Sequence, residues 1–157
     1  MEELRPSSRG TELAVQKIIE QEDSRYFGAL HAVLQLLAPL RLSVSLTGGE
    51  ASKDRRLPRI LEELKPFFPR KLTLTTNGSG LWDVHDQKPL VQRIAEANVH
   101  HLNISIAHPD WERNAYLMGY RDGLSWDRMR DAIRVVQTGG TRVRLSCVLL
   151  NGEIDSL

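Results

Sequence analysis

Four segments of the chain alternate between aliphatic and polar residues. In Arg41–Leu46, Leu42, Val44 and Leu46 share one face, while Ser43, Ser45 and the following Thr47 share the other. Lys71–Thr76 sets Leu72 and Leu74 against Thr73 and Thr75. His101–Ile106 sets Leu102, Ile104 and Ile106 against His101, Asn103 and Ser105. Arg142–Leu150 sets Val143, Leu145, Cys147 and Leu149 against Arg142, Arg144 and Ser146. A period of two is that of a β-strand. Between these segments the apolar spacing widens to that of a helix. Leu57, Ile60, Leu61 and Leu64 form one stripe, with Pro58 in the first turn; Leu90, Ile94 and Ala97 form another within Pro89–Asn98. Trp126, Met129, Ile133 and Val136 form a third within Trp126–Thr138, with Ser125 as its cap and Gly139-Gly140 at its end.

Upstream, Ser24–Leu37 carries Phe27, Leu30, Val33, Leu34 and Leu37 at helical spacing, and Pro39 stops it. Thr11–Glu22 predicts a sparser, polar helix, and residues 1–10 read as a loose end. Residues 11–157 therefore read as one domain. His108–Gly123 is aromatic, with Trp111, Tyr116 and Tyr120, and has poor regularity.

Strand and helix alternating about every thirty residues is the pattern of βαβ units, whose long crossovers make neighbouring strands parallel. A doubly wound sheet buries both faces of its strands, whereas here each strand keeps one polar face. The expected fold is α/β: a parallel-strand partial TIM-type (β/α) barrel, incomplete at both ends, with the polar positions on its concave side. An open antiparallel sheet with one wet face is the alternative.

Composition narrows the functional classes. With 41% hydrophobic and 26% charged residues, the chain can build a core. A net charge of +1 supports no nucleic-acid partner and no anionic membrane surface. No apolar run approaches a spanning helix, and a cytoplasmic location follows as the default. One cysteine, Cys147, excludes a disulfide framework or a multi-thiolate metal site within the chain. On the aliphatic face of its strand, Cys147 is expected as a buried small hydrophobe.

The chemistry centres on Leu46-Thr47-Gly48-Gly49-Glu50. Two glycines directly after a strand permit positive φ and let a ligand approach bare backbone, with a carboxylate held beside them. Such a turn suits a zwitterionic small molecule; it is also what an ordinary strand-to-helix connection looks like.

Four motifs stand in order: Leu46–Glu50, Thr75-Thr76-Asn77-Gly78, Leu102-Asn103-Ile104-Ser105-Ile106, and Arg144 to Gly152. Together, over about residues 41 to 157, they resemble the core of the radical S-adenosylmethionine superfamily, most closely the branch containing the molybdenum-cofactor cyclase. The resemblance implies that a [4Fe–4S] cluster reduces S-adenosylmethionine, yielding a 5′-deoxyadenosyl radical that abstracts hydrogen from a substrate. It places Gly48, Gly49 and Glu50 at the cofactor's methionine amino group. Ser105, with Asn103 and Ser146 on the same polar faces, is placed at its other polar groups, and Thr75 and Arg144 towards a small-molecule or peptide substrate.

The departures are informative. Ala51 replaces a proline, Ala107-His108 replaces a common Asp, and Ser45 stands where the cyclase has an arginine. The cluster signature C-x3-C-x2-C is expected before Leu46, yet no cysteine lies upstream, so the chain alone can ligate no [4Fe–4S] cluster. The readings that follow are an enzyme core whose cluster segment lies on a preceding segment or a second chain, and a noncatalytic homologue acting as a small-molecule-binding or interaction module. A third is a partial barrel binding phosphate at its glycine turn, which the Glu50 carboxylate disfavours by repulsion.

Overall fold

A computed structural model describes residues 9–67, 69–120 and 124–147, with side chains from residue 16 onward. Two compact units are distinguished, Met1–Pro39 and Leu40–Leu157. The first holds α1, Arg9–Leu37. The two helices predicted here are one helix, and Ser24, where the second was expected to begin, lies inside it. Neither proline nor glycine separates Glu22 from Arg25, so nothing interrupts the backbone ladder where the apolar stripe thins.

In chain order the second unit contains β1 (Ser43–Leu46), α2 (Leu57–Leu64), β2 (Lys71–Thr76), the strands β3 (Val84–His85) and β4 (Lys88–Pro89), α3 (Leu90–Glu96), β5 (His101–Ile106), α4 (Trp111–Met118), α5 (Trp126–Thr138) and β6 (Arg142–Cys147). The main sheet runs β1-β2-β5-β6, and every pair in it is parallel. This is the α/β arrangement of a partial β/α barrel, and the antiparallel alternative falls. The continuation of the last strand to Leu150 lies outside the described residues.

The register explains the two-faced pattern. Leu46, Leu74 and Leu102 stand side by side across β1, β2 and β5, and Leu102 is opposite Val143. Leu72, Leu74, Leu102 and Ile104 are buried, as are the stripes Leu57, Leu61 and Leu64 of α2, Leu90, Val91 and Ile94 of α3, and Met129, Ala132 and Val136 of α5. Each of these side chains larger than alanine contributes about 1.5–3 kcal/mol on leaving water. The opposite positions Thr73, Thr75, His101, Asn103 and Ser105 are only half-buried. Gly139 is confined by packing: a Cβ there would lie 2.3 Å from the Ala95 carbonyl oxygen on the neighbouring helix.

Cys147 is exposed, contrary to the burial its face predicts. It sits on β6, at the edge of the described sheet, where Leu145 of the same face is also 51% exposed. Period fixes which face a residue takes, but cover depends on what packs there. The β3–β4 hairpin was not predicted either. Its turn uses Asp86 and Gln87 at positive φ without a glycine, and Pro89 lies in its second strand.

Candidate functional site

The turn after β1 places Gly48 at φ 118° and Gly49 at φ 44°. A side chain at either position would meet nothing within 4 Å, so the glycines serve the backbone path and leave open space before it. Glu50 follows in extended conformation and caps the short turn Ala51–Lys53.

The Glu50 carboxylate is bound into the fold. Its Oε1 accepts from the Ser52 backbone N–H at 2.9 Å, from Ser52 Oγ at 2.6 Å and from Thr76 Oγ1; its Oε2 accepts from the Asn77 N–H at 2.6 Å. A carboxylate offers about four lone-pair positions, two on each oxygen. Oε1 is therefore crowded, and the free acceptor capacity lies on Oε2. The same knot extends outward. Gly80 N–H donates to Ser52 Oγ at 2.9 Å, and Gly78 N–H donates to Thr76 Oγ1 at 2.8 Å. Gly80 has no room for a side chain, since a Cβ would lie 2.1 Å from the Ser52 carbonyl oxygen.

On the far side of Asn77, the Tyr120 hydroxyl donates to the Asn77 carbonyl at 2.5 Å. Burial raises the Tyr120 pKa, the Asn114 side chain opposes that rise, and the Glu50 charge adds to it. Tyr120 stacks on Trp111 at 5.5 Å between ring centroids, and Trp111 meets Trp126 edge-on at 4.7 Å. Asn114 is fully buried; its Oδ1 accepts from the Ala107 and His108 backbone N–H groups, which holds α4 to the end of β5. His108 accepts from the Asp110 N–H at Nδ1, which assigns its proton to Nε2. His108 Nε2 and Asn114 Nδ2 are both buried without a partner among the described residues.

The polar face of the sheet brings the other candidates into rows. Thr75, Asn103 and Arg144 stand side by side across β2, β5 and β6, and Asn103 Nδ2 reaches Thr75 Oγ1 at 3.4 Å. One pair further along, Ser105 faces Ser146. Ser105 and Arg144 thus lie on the same face. At the start of that face stands His101, between Lys71, Arg142 and Arg144; partial desolvation first, and then these cations, lower its pKa.

Sequence reasoning missed Thr76, Ser52 and Tyr120. Thr76 carries the parity of the aliphatic face and is buried, yet as the last residue of its strand it turns its hydroxyl to Glu50. Ser52 did carry a readable signal, as the second residue after a carboxylate in a turn. Tyr120 lies 43 residues from its partner, and nothing local announces that contact. Among the described residues no three His, Cys, Asp or Glu side chains group to hold a metal ion, and no described helix is long and apolar enough to cross a membrane. The single exposed thiol of Cys147 does not fit a cluster that needs several thiolates.

The family model described as the Radical SAM superfamily matches residues 20–156. A probable GTP 3′,8-cyclase of Metallosphaera sedula is 32% identical over 108 residues, which cover 68% of this chain and 31% of that protein. The match thus spans about a third of the relative's length. No solved structure matches significantly.

Proposed function

The chain belongs to the radical SAM superfamily, whose members in general use S-adenosylmethionine and a [4Fe–4S] cluster, and from that premise we propose that it carries the cofactor-gripping half of such an enzyme. The Gly48–Gly49 turn and the free side of the Glu50 carboxylate receive the ammonium of the cofactor's methionine moiety. Ser105, Asn103 and Ser146 meet its remaining polar groups, and Thr75 and Arg144 face a substrate. The supporting observation is the Glu50 knot: a charge anchored through Oε1 is pre-aimed, Oε2 keeps one acceptor position, and the glycine turn just before it opens on unfilled space.

In the family the cluster supplies the electron that cleaves the cofactor. This chain offers one thiolate, so the cluster ligands of an active assembly come from a preceding segment or a second chain. The lone cysteine also favours a second reading, a binding module that keeps the grip without the chemistry. The shared element of both is cofactor binding.

Titration of the full chain with S-adenosylmethionine, followed by calorimetry or NMR, tests it. Binding is expected to be weak and to fall by about tenfold or more in Glu50→Gln, the effect of one charge-assisted bond. It should be unchanged in Glu62→Gln, on the exposed face of α2, where Glu62 pairs with Lys65. Amide shifts of Thr76, Asn77 and Gly80 in the free variant report whether the knot has stayed formed. Equal binding by both variants, or no binding by the parent chain, would sink the reading.

A further inference from the structure

We propose a second ligand site at the opposite end of the sheet, a cavity for a small organic phosphate monoester. The inference goes beyond the cofactor reading and does not depend on it. Two cavities of about 480 and 360 Å³ open beside the starts of β1 and β2, and Arg41 and Arg70 line both. Neither guanidinium has an acidic partner among the described residues. Lys65 also lines the smaller cavity, but Glu62 neutralises it at 2.8 Å.

The backbone around these cations is fixed. Arg41 has a positive φ of 47°, and the Arg70 N–H donates to the Leu42 carbonyl at 3.2 Å, joining the two entrances to the sheet. A non-glycine residue in the left-handed region persists only where its surroundings determine it. His100, on the wall of the smaller cavity, accepts from the Leu72 N–H at Nδ1, which leaves its Nε2–H as a further donor. Leu64 and Leu72, both almost fully buried, line the same cavity.

Two uncompensated guanidinium groups match a dianion. A phosphate monoester carries about −1.5 to −2 near pH 7 and takes bidentate bonds from arginine. A monocarboxylate would leave one guanidinium unmatched. The apolar wall adds a preference for a ligand with a hydrocarbon body, and a cavity of this size is of small-molecule dimensions.

The probe is phenyl phosphate, titrated into the full-length chain and followed through backbone amide shifts. We expect shifts at Leu42, Arg70, Leu72 and His100 and none at Gly48, Gly49 or Asn77. Inorganic phosphate, lacking the body, and benzoate, lacking the second charge, should both bind more weakly. The double variant Arg41→Gln/Arg70→Gln should weaken phenyl phosphate by about tenfold or more; both side chains are exposed, so neither change empties the core. Undiminished binding in that variant overturns the proposal, as does equal binding of benzyl alcohol or the absence of shifts with tens of millimolar phenyl phosphate. Failure of the cofactor reading would leave these shifts unchanged, because the two sites are read at different amides.

Discussion

The two ends of the parallel sheet solve opposite problems. At the C-terminal end of β1 and β2, Glu50, Ser52, Thr76, Asn77 and Gly80 satisfy one another within a short network, and the one carboxylate there is fixed from several directions. At the N-terminal end, Arg41, Arg70, Lys71, His101 and Arg142 gather without acidic partners among the described residues. The first end has geometry and little spare bonding capacity. The second has charge to spare and few bonds that direct it. A carboxylate held in this way can present one acceptor to a cation with little loss of freedom, whereas loosely held cations can attract an anion but select it mainly by charge and size.

The comparison can be broken most strongly at Gly80. Gly80→Ala forces a Cβ against the Ser52 carbonyl, and we expect it to cost about 3 kcal/mol in chemical denaturation, at the upper end of overpacking effects. If the two ends are separable, phenyl phosphate binding to the folded fraction should survive. A smaller blow falls on Thr76→Val, which keeps the shape and removes both the bond to Glu50 and the acceptor for Gly78. About 2 kcal/mol is expected, since a part-buried carboxylate oxygen and a buried amide each lose a partner. A cost near zero would mean that water replaces the hydroxyl and that the knot is less closed than its bonds imply.

The smallest effect sharpens the other end. The pKa of His101 is lowered in the fold from 6.5 by partial desolvation and by Lys71, Arg142 and Arg144. The unfolded chain therefore binds the proton more readily. The neutral form is favoured in the fold, so stability is fully present above pH 6.5 and declines as the pH falls through that value towards the folded pKa. His101→Gln should flatten this decline in urea denaturation measured at several pH values. An unchanged pH slope in the variant would assign the acid sensitivity to other groups.

Much of this architecture was legible because strands advertise themselves. The strands Lys71–Thr76 and His101–Ile106 have the bounds that their alternation predicts, and Ser125 caps α5 by accepting from the Arg128 N–H. The Gly48-Gly49-Glu50 turn and the Thr75–Asn103–Arg144 row were equally visible, since parity and register suffice to place them. What escaped depended on distant partners. The bond from Thr76 to Glu50 spans 26 residues and runs against the face that parity assigns. α4 is held by Asp110, by the left-handed Gly119 and by the buried Asn114, none of which forms a repeating stripe. The exposure of Cys147 follows from what lies beside β6, and no property of its own strand encodes it.

Tyr120 gives the site an optical voice. Its ring stacks on one indole while its hydroxyl donates to the carbonyl of Asn77, the residue whose N–H donates to Glu50, and a second indole meets the first edge-on. Two of the chain's three tryptophans are thus linked, through Tyr120 and the backbone of Asn77, to the carboxylate proposed to hold the ammonium. A change in the emission of these rings is therefore the expected readout of a ligand that engages that carboxylate.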